Sequence, residues 1–299
     1  MSPLPVIAAM SHLAIRVRDL EAALHTATQT MGMRIVAADE RWTYLTCNDS
    51  HRVLQYCVAD TDAVDHIALS ASGPDALETV RERLRARGIK LVSDRPLEPG
   101  FTEGFAFVGP DGFCYEVGIG MPGGQAPYTA TGVKPTHFGH VNLHVPDVAG
   151  GVEFLREVLD FRVSDVIEGR GVFLRCNSEH HAIAYLEGRG VLHHHAWAVP
   201  AVADLARLGD ILDESGRSLI WGPLRHGAGD NVAAYFADPA GAVVEFYAEM
   251  EVYLDESSFV PRTWSNEDLR WWSRWTKVRG EGFHDFGLPP AEEPLTALR

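Results

Sequence analysis

Gly139 to Pro146 reads GHVNLHVP. Strict alternation sets His140, Asn142 and His144 on one face of a strand and Val141, Leu143 and Val145 on the other. One face is apolar and packs, while the other carries donors and acceptors. Further along, His194 to Pro200 reads HHAWAVP, so His194 precedes a proline by six residues just as His140 does. A third stretch, Asp238 to Tyr247, reads DPAGAVVEFY, a Pro/Gly turn feeding a strand that holds Glu245 among valines and a phenylalanine. Two histidines and one carboxylate on separate strands make a candidate metal site. The run His193 to His195 leaves a choice of ligand. Strand parity selects His194, which matches His140, and sends His193 and His195 to the opposite face.

The same pattern occurs earlier in the chain. His12 opens HLAIRV, His66 opens HIALSA, and Glu116 lies in PDGFCYEVG, six residues after Pro110. His12 and His140 are 128 residues apart, as are His66 and His194, and Glu116 and Glu245 are 129 apart. A nearly constant offset marks a duplicated domain. Within each half the order strand, helix, further strands also repeats, giving two βαβββ units per half and an α+β chain.

In the first unit Asp19 can cap a helix through LEAALHTATQTMG that ends at Gly32, with strands at WTYLTC and RVLQYC. In the second, Pro74 starts a helix with Leu77, Val80 and Leu84 on one stripe. The third places Asp147 before the helix of Val152, Leu155, Val158 and Leu159. The fourth has its helix in DLARLGDILDES, ended by Gly216. Met121 to Thr136 is rich in Gly and Pro and reads as a linker. The expected organisation is a first domain over 1–120, a linker over 121–136, a second domain over 137–250 and a tail over 251–299. In the tail, Ser265 with Asp268 resembles a capping box before a short helix, DLRWWSRW. Trp264, Trp271, Trp272 and Trp275 need a surface to bury against. Packing on the barrel or a subunit contact is the preferred reading, and a partial cover over the site mouth is the other. Beyond Phe286 the Pro- and Glu-rich chain is expected to be loose.

Composition excludes several classes of function. A net charge of −15 opposes a nucleic-acid backbone or an anionic membrane surface, and no apolar run approaches the ~18 residues of a membrane span. Cys47, Cys57, Cys114 and Cys176 have no C-x-x-C spacing and read as free thiols. A cytoplasmic, unprocessed homo-oligomer is expected. There is no G-x-G-x-x-G turn between a strand and a helix, so no nicotinamide is expected.

Two imidazoles and one carboxylate on one side of a metal leave adjacent positions open, an arrangement suited to non-haem Fe(II) and oxygen chemistry. Together with these strands, the stretch WGPLRHGAGDNVAAYFADPAGAVVEFYAEM (Trp221 to Met250) resembles the two-domain, type I extradiol catechol dioxygenases of the vicinal oxygen chelate superfamily. The resemblance covers about Met10 to Met250. It implies tandem vicinal-oxygen-chelate domains, each a partly open barrel of two βαβββ modules. It also implies Fe(II), or Mn(II), on His140, His194 and Glu245, with a catechol and O2 as the reactants brought together there.

The family's acid/base His, followed three residues later by Ala in HHAIAYLEG, selects His181 with Ala184 over His180. Its His-Gly pair and the Tyr nine residues later correspond to His226 and Tyr235, partners for the ionised substrate oxygen. Asn142 matches a substrate-side residue of some members. The family's usual Asp or Thr after the acid/base His is Ala182 here. Other metal-dependent members, lyases or isomerases of the glyoxalase or epimerase kind, usually take ligands from four strand positions. A ligand-binding protein of the same fold would not need the triad. In the first half, Arg52 stands opposite His181, Leu97 opposite His226 and Ala106 opposite Tyr235. That half is expected to be a structural, catalytically silent copy with His12, His66 and Glu116 hydrogen-bonded or exposed.

Overall fold

The computed structural model describes residues 5–124, 126–127, 131–257, 259–278 and 280–293. The first half runs β1 (Ile7–Val17), α1 (Leu20–His25), β2 (Arg34–Ala38), β3 (Trp42–Thr46), β4 (Leu54–Val58), β5 (Ala63–Ala71), α2 (Pro74–Ala86), β6 (Leu91–Ser93), β7 (Glu103–Val108) and β8 (Cys114–Ile119). The second repeats it with β9 (His137–Val145), α3 (Val148–Leu159), β10 (Arg162–Ile167), β11 (Gly171–Arg175), β12 (Ile183–Glu187), β13 (Val191–Ala198), α4 (Ala203–Glu214), β14 (Trp221–Arg225), β15 (Val232–Ala237) and β16 (Val243–Ala248). A last strand, β17 (Arg262–Trp264), belongs to the tail.

Each half is one open sheet. The orders are β2-β3-β4-β1-β5-β8-β7-β6 and β14-β15-β16-β13-β9-β12-β11-β10-β17. In both, the opening strands of the two units pair antiparallel at the centre, and each pairs in parallel with the last strand of its own unit. The repeat therefore extends from sequence offsets to strand register. Val141, Leu143 and Val145 enter the main apolar core with Phe154, Leu155 and Val158 of α3.

Local chemistry accounts for the helix ends. Asp19 Oδ1 accepts from Ala22 N at 2.9 Å and Asp147 Oδ1 accepts from Gly150 N at 2.9 Å, both N-caps. The first helix does not continue as α-helix to Gly32. It widens into a π-helical turn over Thr26–Thr30, where Met31 N donates to Thr26 O and Thr28 Oγ1 donates back to Leu24 O. Three threonines in five residues are poor α-formers, and a hydroxyl that bonds its own helix loosens the turn.

Two expectations for the tail fail. Residues 268–275 form successive turns rather than a helix, with Trp271 N donating to Asp268 O and Trp272 N to Leu269 O. Asp268 spends its carboxylate on Arg270 instead of capping. Of the segment after Phe286, the described residues 287–293 are held, not loose: Leu288 exchanges backbone hydrogen bonds with Leu192, and Val64 is bracketed by Pro289 and Ala291, while 294–299 lie outside the described residues. Pairing with both halves replaces the apolar burial that its composition lacks.

The halves also meet at a buried polar node. Asp111 Oδ2 accepts from Tyr115 and from Tyr185 of β12, each at 2.5 Å. Burial pushes the Asp111 carboxyl above its usual range, because the charged form is desolvated. Asp111→Ala leaves two buried hydroxyls short of an acceptor and should cost about 2–4 kcal/mol. Urea unfolding of the variant, with an unchanged m-value, checks this.

Candidate metal centre

The site grows out of the central strands of the second sheet. β13 lies between β9 and β16, and its Ala196 faces His140 on one side and Glu245 on the other. His194 is two residues along β13, opposite Asn142. The alanine keeps the middle of the row small, so the three longer side chains converge above it. His140 Nε2 lies 3.2 Å and His194 Nε2 3.1 Å from Glu245 Oε2. The three ligand atoms lie within 4.8 Å of one another, and all three residues are buried.

Hydrogen bonds fix which atoms face inward. His193 Nε2 donates to the Phe283 carbonyl at 2.6 Å, so in the neutral ring its Nδ1 accepts a hydrogen bond from His194 Nδ1 at 2.9 Å. His194 Nε2 is then a bare lone pair 3.1 Å from a carboxylate oxygen. Two acceptors at that distance repel unless a cation sits with them. Asn231 Nδ2 donates to Glu245 Oε1 at 3.1 Å, holding the other oxygen. The donor set and its orientation therefore fit a divalent metal.

His181 stands beside the cluster, its ring centroid 4.1 Å from that of His140, with Phe173 at 5.0 Å on its edge. Its Nδ1 meets His180 Nδ1 at 2.9 Å, and His180 Nε2 faces Asp165 Oδ2 at 3.3 Å. Burial holds the His181 pKa well below the ordinary imidazole value, with the neighbouring His140 and His180 adding to the shift. The ring is neutral at physiological pH, lower than the near-neutral titration that acid/base use suggests. His226, half-buried, donates from Nδ1 to the Trp272 carbonyl at 2.6 Å, so its Nε2 accepts from the Tyr235 hydroxyl at 2.6 Å. Tyr235 pairs with Glu245 in register and stacks on Trp221 at 5.2 Å.

These groups line one small cleft, walled by Phe173, Trp221, Trp271, Trp272 and Phe283. Its aromatic walls suit contact with a flat ring. All the residues singled out in the sequence, namely His140, Asn142, His181, His194, His226, Tyr235 and Glu245, line it. Of the two readings of the tail tryptophans, Trp271 and Trp272 fulfil both, packing on the sheet and walling the cleft.

Parity misplaces one residue. A register shift between Leu192 and His194 turns His193 into the cleft beside its neighbour instead of opposite it. His195 does point away, accepting from Trp197 Nε1 and facing Asp238. His144 also lines the cleft and stacks on His193 at 4.5 Å, its pKa drawn down to about 3 by burial. Asn231 and Phe283 are further contributors that sequence reading misses. Asn231 is a turn residue in a Gly-rich loop, and Phe283 acts through its carbonyl, which no side-chain pattern reveals.

Paired βαβββ repeats around a two-histidine, one-carboxylate cleft define a metal-binding class of protein. The family model for the Glyoxalase/Bleomycin resistance protein/Dioxygenase superfamily matches residues 9–117 and 137–246, and the chain belongs to that superfamily. Metapyrocatechase 2 of Cupriavidus necator is 27% identical over 83% of this chain and 83% of its own. The crystal structure of a Mn(II)-bound glyoxalase from Novosphingobium aromaticivorans is 30% identical, with a TM-score of 0.86 over 98% of this chain and 97% of that one. Homoprotocatechuate 2,3-dioxygenase from Arthrobacter globiformis, 21% identical, has a TM-score of 0.88 over 97% of this chain and 94% of that one.

Metal retention should follow the protonation of these ligands. Burial draws the His194 pKa down to about 4, partly opposed by Glu245. Protons therefore compete for it only in acid. Equilibrium dialysis should find metal held in the second half from pH 7 to about 5 and released as pH falls through about 4, and Glu245→Ala should abolish retention there at neutral pH.

Proposed function

We propose that this chain is an extradiol ring-cleaving dioxygenase, which inserts both atoms of O2 into a catechol and opens the ring beside, not between, the hydroxyls. The observation that carries the proposal is the Tyr235–His226 pair set against the His140, His194 and Glu245 cluster in one cleft. Similarity to a metapyrocatechase supports it. The second domain, 137–250, holds the site, and the first, 1–120, is catalytically silent.

His140, His194 and Glu245 would hold Fe(II), with Mn(II) as the alternative; when bound, it supplies Lewis acidity and open positions for catechol and O2. The chain's own residues do the rest. Tyr235 donates to His226 Nε2, so its hydroxyl oxygen can accept a proton from a substrate hydroxyl while passing its own to His226. Both protons of the resulting imidazolium then have acceptors, the one on Nε2 at the Tyr235 oxygen and the one on Nδ1 at the Trp272 carbonyl. His181, neutral and buried, keeps Nε2 open as a proton acceptor near the reacting atoms. Asn142 offers an unpartnered amide oxygen to the substrate side. The aromatic walls exclude water and stack on a ring. Exposed Leu254, Val260 and Trp275 support a homo-oligomer, and four free thiols a cytoplasmic setting.

The second reading is a lyase or isomerase of the same superfamily, the class to which the name of the similar Mn(II)-bound glyoxalase points. Such chemistry consumes no oxygen, so one assay separates the two. Anaerobic Fe(II) or Mn(II) loading, followed by oxygen uptake against mono- and bicyclic catechols without NADH, should give stoichiometric uptake on at least one. No uptake on any, or a requirement for NADH, would overturn the dioxygenase reading. His181→Phe should keep the metal while slowing turnover roughly 10²-fold or more; normal turnover would remove His181 from the mechanism.

A further inference from the structure

The first half repeats the metal row atom for atom in its backbone. β5 lies between β1 and β8, and Ala68 faces His12 on one side and Glu116 on the other, as Ala196 faces His140 and Glu245. His12 Nε2 lies 3.2 Å from His66 Nε2 and 3.4 Å from Glu116 Oε2. Glu98, from the loop between β6 and β7, brings Oε2 to 3.6 Å from His66 Nε2. All four ligand atoms lie within 4.8 Å of one another and all four residues are buried. Of the expected alternatives, hydrogen-bonded or exposed, both histidines take the first: they are buried and hydrogen-bonded.

The surroundings orient these side chains as metal ligands. His66 Nδ1 donates to Asp65 Oδ1 at 2.8 Å, which turns its Nε2 inward, and Asp65 is itself held by Arg16. Ser11 Oγ meets His12 Nδ1 at 3.2 Å. Leu97 N donates to Glu116 Oε1 at 2.8 Å and leaves Oε2 aimed at the cluster. No hydrogen bond reaches Glu116 Oε2 or either oxygen of Glu98.

Arg52 is the competing cation. It stands where the second half has His181, with Nη2 3.6 Å from Glu98 Oε2 and 4.0 Å from Glu116 Oε2, and its other nitrogen bonds the Pro99 carbonyl. One guanidinium against two carboxylates leaves the cluster one positive charge short. A proton shared between His66 and His12 would restore the charge. It would still leave three buried carboxylate oxygens without a donor, at several kcal/mol. A divalent cation would meet one ligand atom from each of the four residues at once.

We propose that His12, His66, Glu98 and Glu116 form a second divalent-cation site, closed and structural, that takes a first-row metal such as Mn(II) or Zn(II). Four protein ligands with Arg52 filling the flank leave no path for a substrate, the arrangement of a structural site. The inference rests on the buried cluster and is independent of the ring-cleavage reading.

The full-length chain, stripped by chelator and dialysed against Mn(II) or, separately, Zn(II), should retain two equivalents by elemental analysis. Glu245→Ala should retain one, Glu98→Gln one, and the double variant none. Glu98→Gln is isosteric, so folding is preserved, and whatever oxygen uptake the native chain shows should persist. In the Glu245→Ala background, added metal should raise Tm, and adding Glu98→Gln should abolish the rise. Asp65→Asn should weaken retention in that background roughly 10- to 100-fold. A native chain that holds one equivalent of either metal while Glu245→Ala holds none, or a Glu98→Gln variant that still holds two, would overturn the site.

Discussion

A carboxylate with almost no solvent exposure has to be neutralised where it stands, and Glu245 imposes that demand on the second half. One oxygen accepts a hydrogen bond from Asn231 and the other faces two imidazole nitrogens, of which that of His194 presents a bare lone pair. An arrangement of acceptors around a buried anion is unstable alone and becomes stable with a cation. The strands that carry it are central in their sheet, paired on both sides, so the side chains cannot swing apart to relieve the repulsion. Rigid backbone and unbalanced charge together give a cluster that could hold a metal ion.

The two halves meet the same demand differently. Both present His–Ala–carboxylate rows in the same register. The second half then opens outward, with His181 beside the row and an aromatic cleft above it. In the first half, Arg52 and Glu98 occupy the equivalent surroundings, and Gly100 lets the guanidinium approach: a Cβ there would meet Arg52 Nη1 at 2.8 Å. Duplication supplied the geometry twice, and the side chains that flank each row differ: Arg52 and Glu98 crowd the first, an aromatic cleft lies above the second.

Much of this is legible in the sequence because period-two alternation, proline spacing and a constant offset all survive duplication. His140, His194 and Glu245 are visible for that reason. His193 is not, since a β-bulge breaks the parity from which its direction is read. Glu98 is hidden too, because its counterpart in the repeat is Gly227 and no pattern links the two. Carbonyl acceptors such as those of Trp272 and Phe283 carry no side-chain signature at all.

Those carbonyls show what the tail contributes. His226 Nδ1 ends on Trp272 O, and His193 Nε2 ends on Phe283 O. The third chain runs from His181 through His180 to Asp165, whose carboxylate is held by Arg262 and Trp264 of β17. Each of the three histidine relays of the site therefore terminates on, or is braced by, residues after position 260. A carbonyl can only accept, so it fixes the tautomer of the ring that donates to it, and through that ring the lone pair presented to the cleft. The aromatic side chains of the same segment wall the cleft, but its backbone sets the proton positions. That dual use explains why a segment with little regular structure is pinned at β10, Leu192 and Val64: were it free to move, the histidines would lose their defined tautomers before the cleft lost its cover.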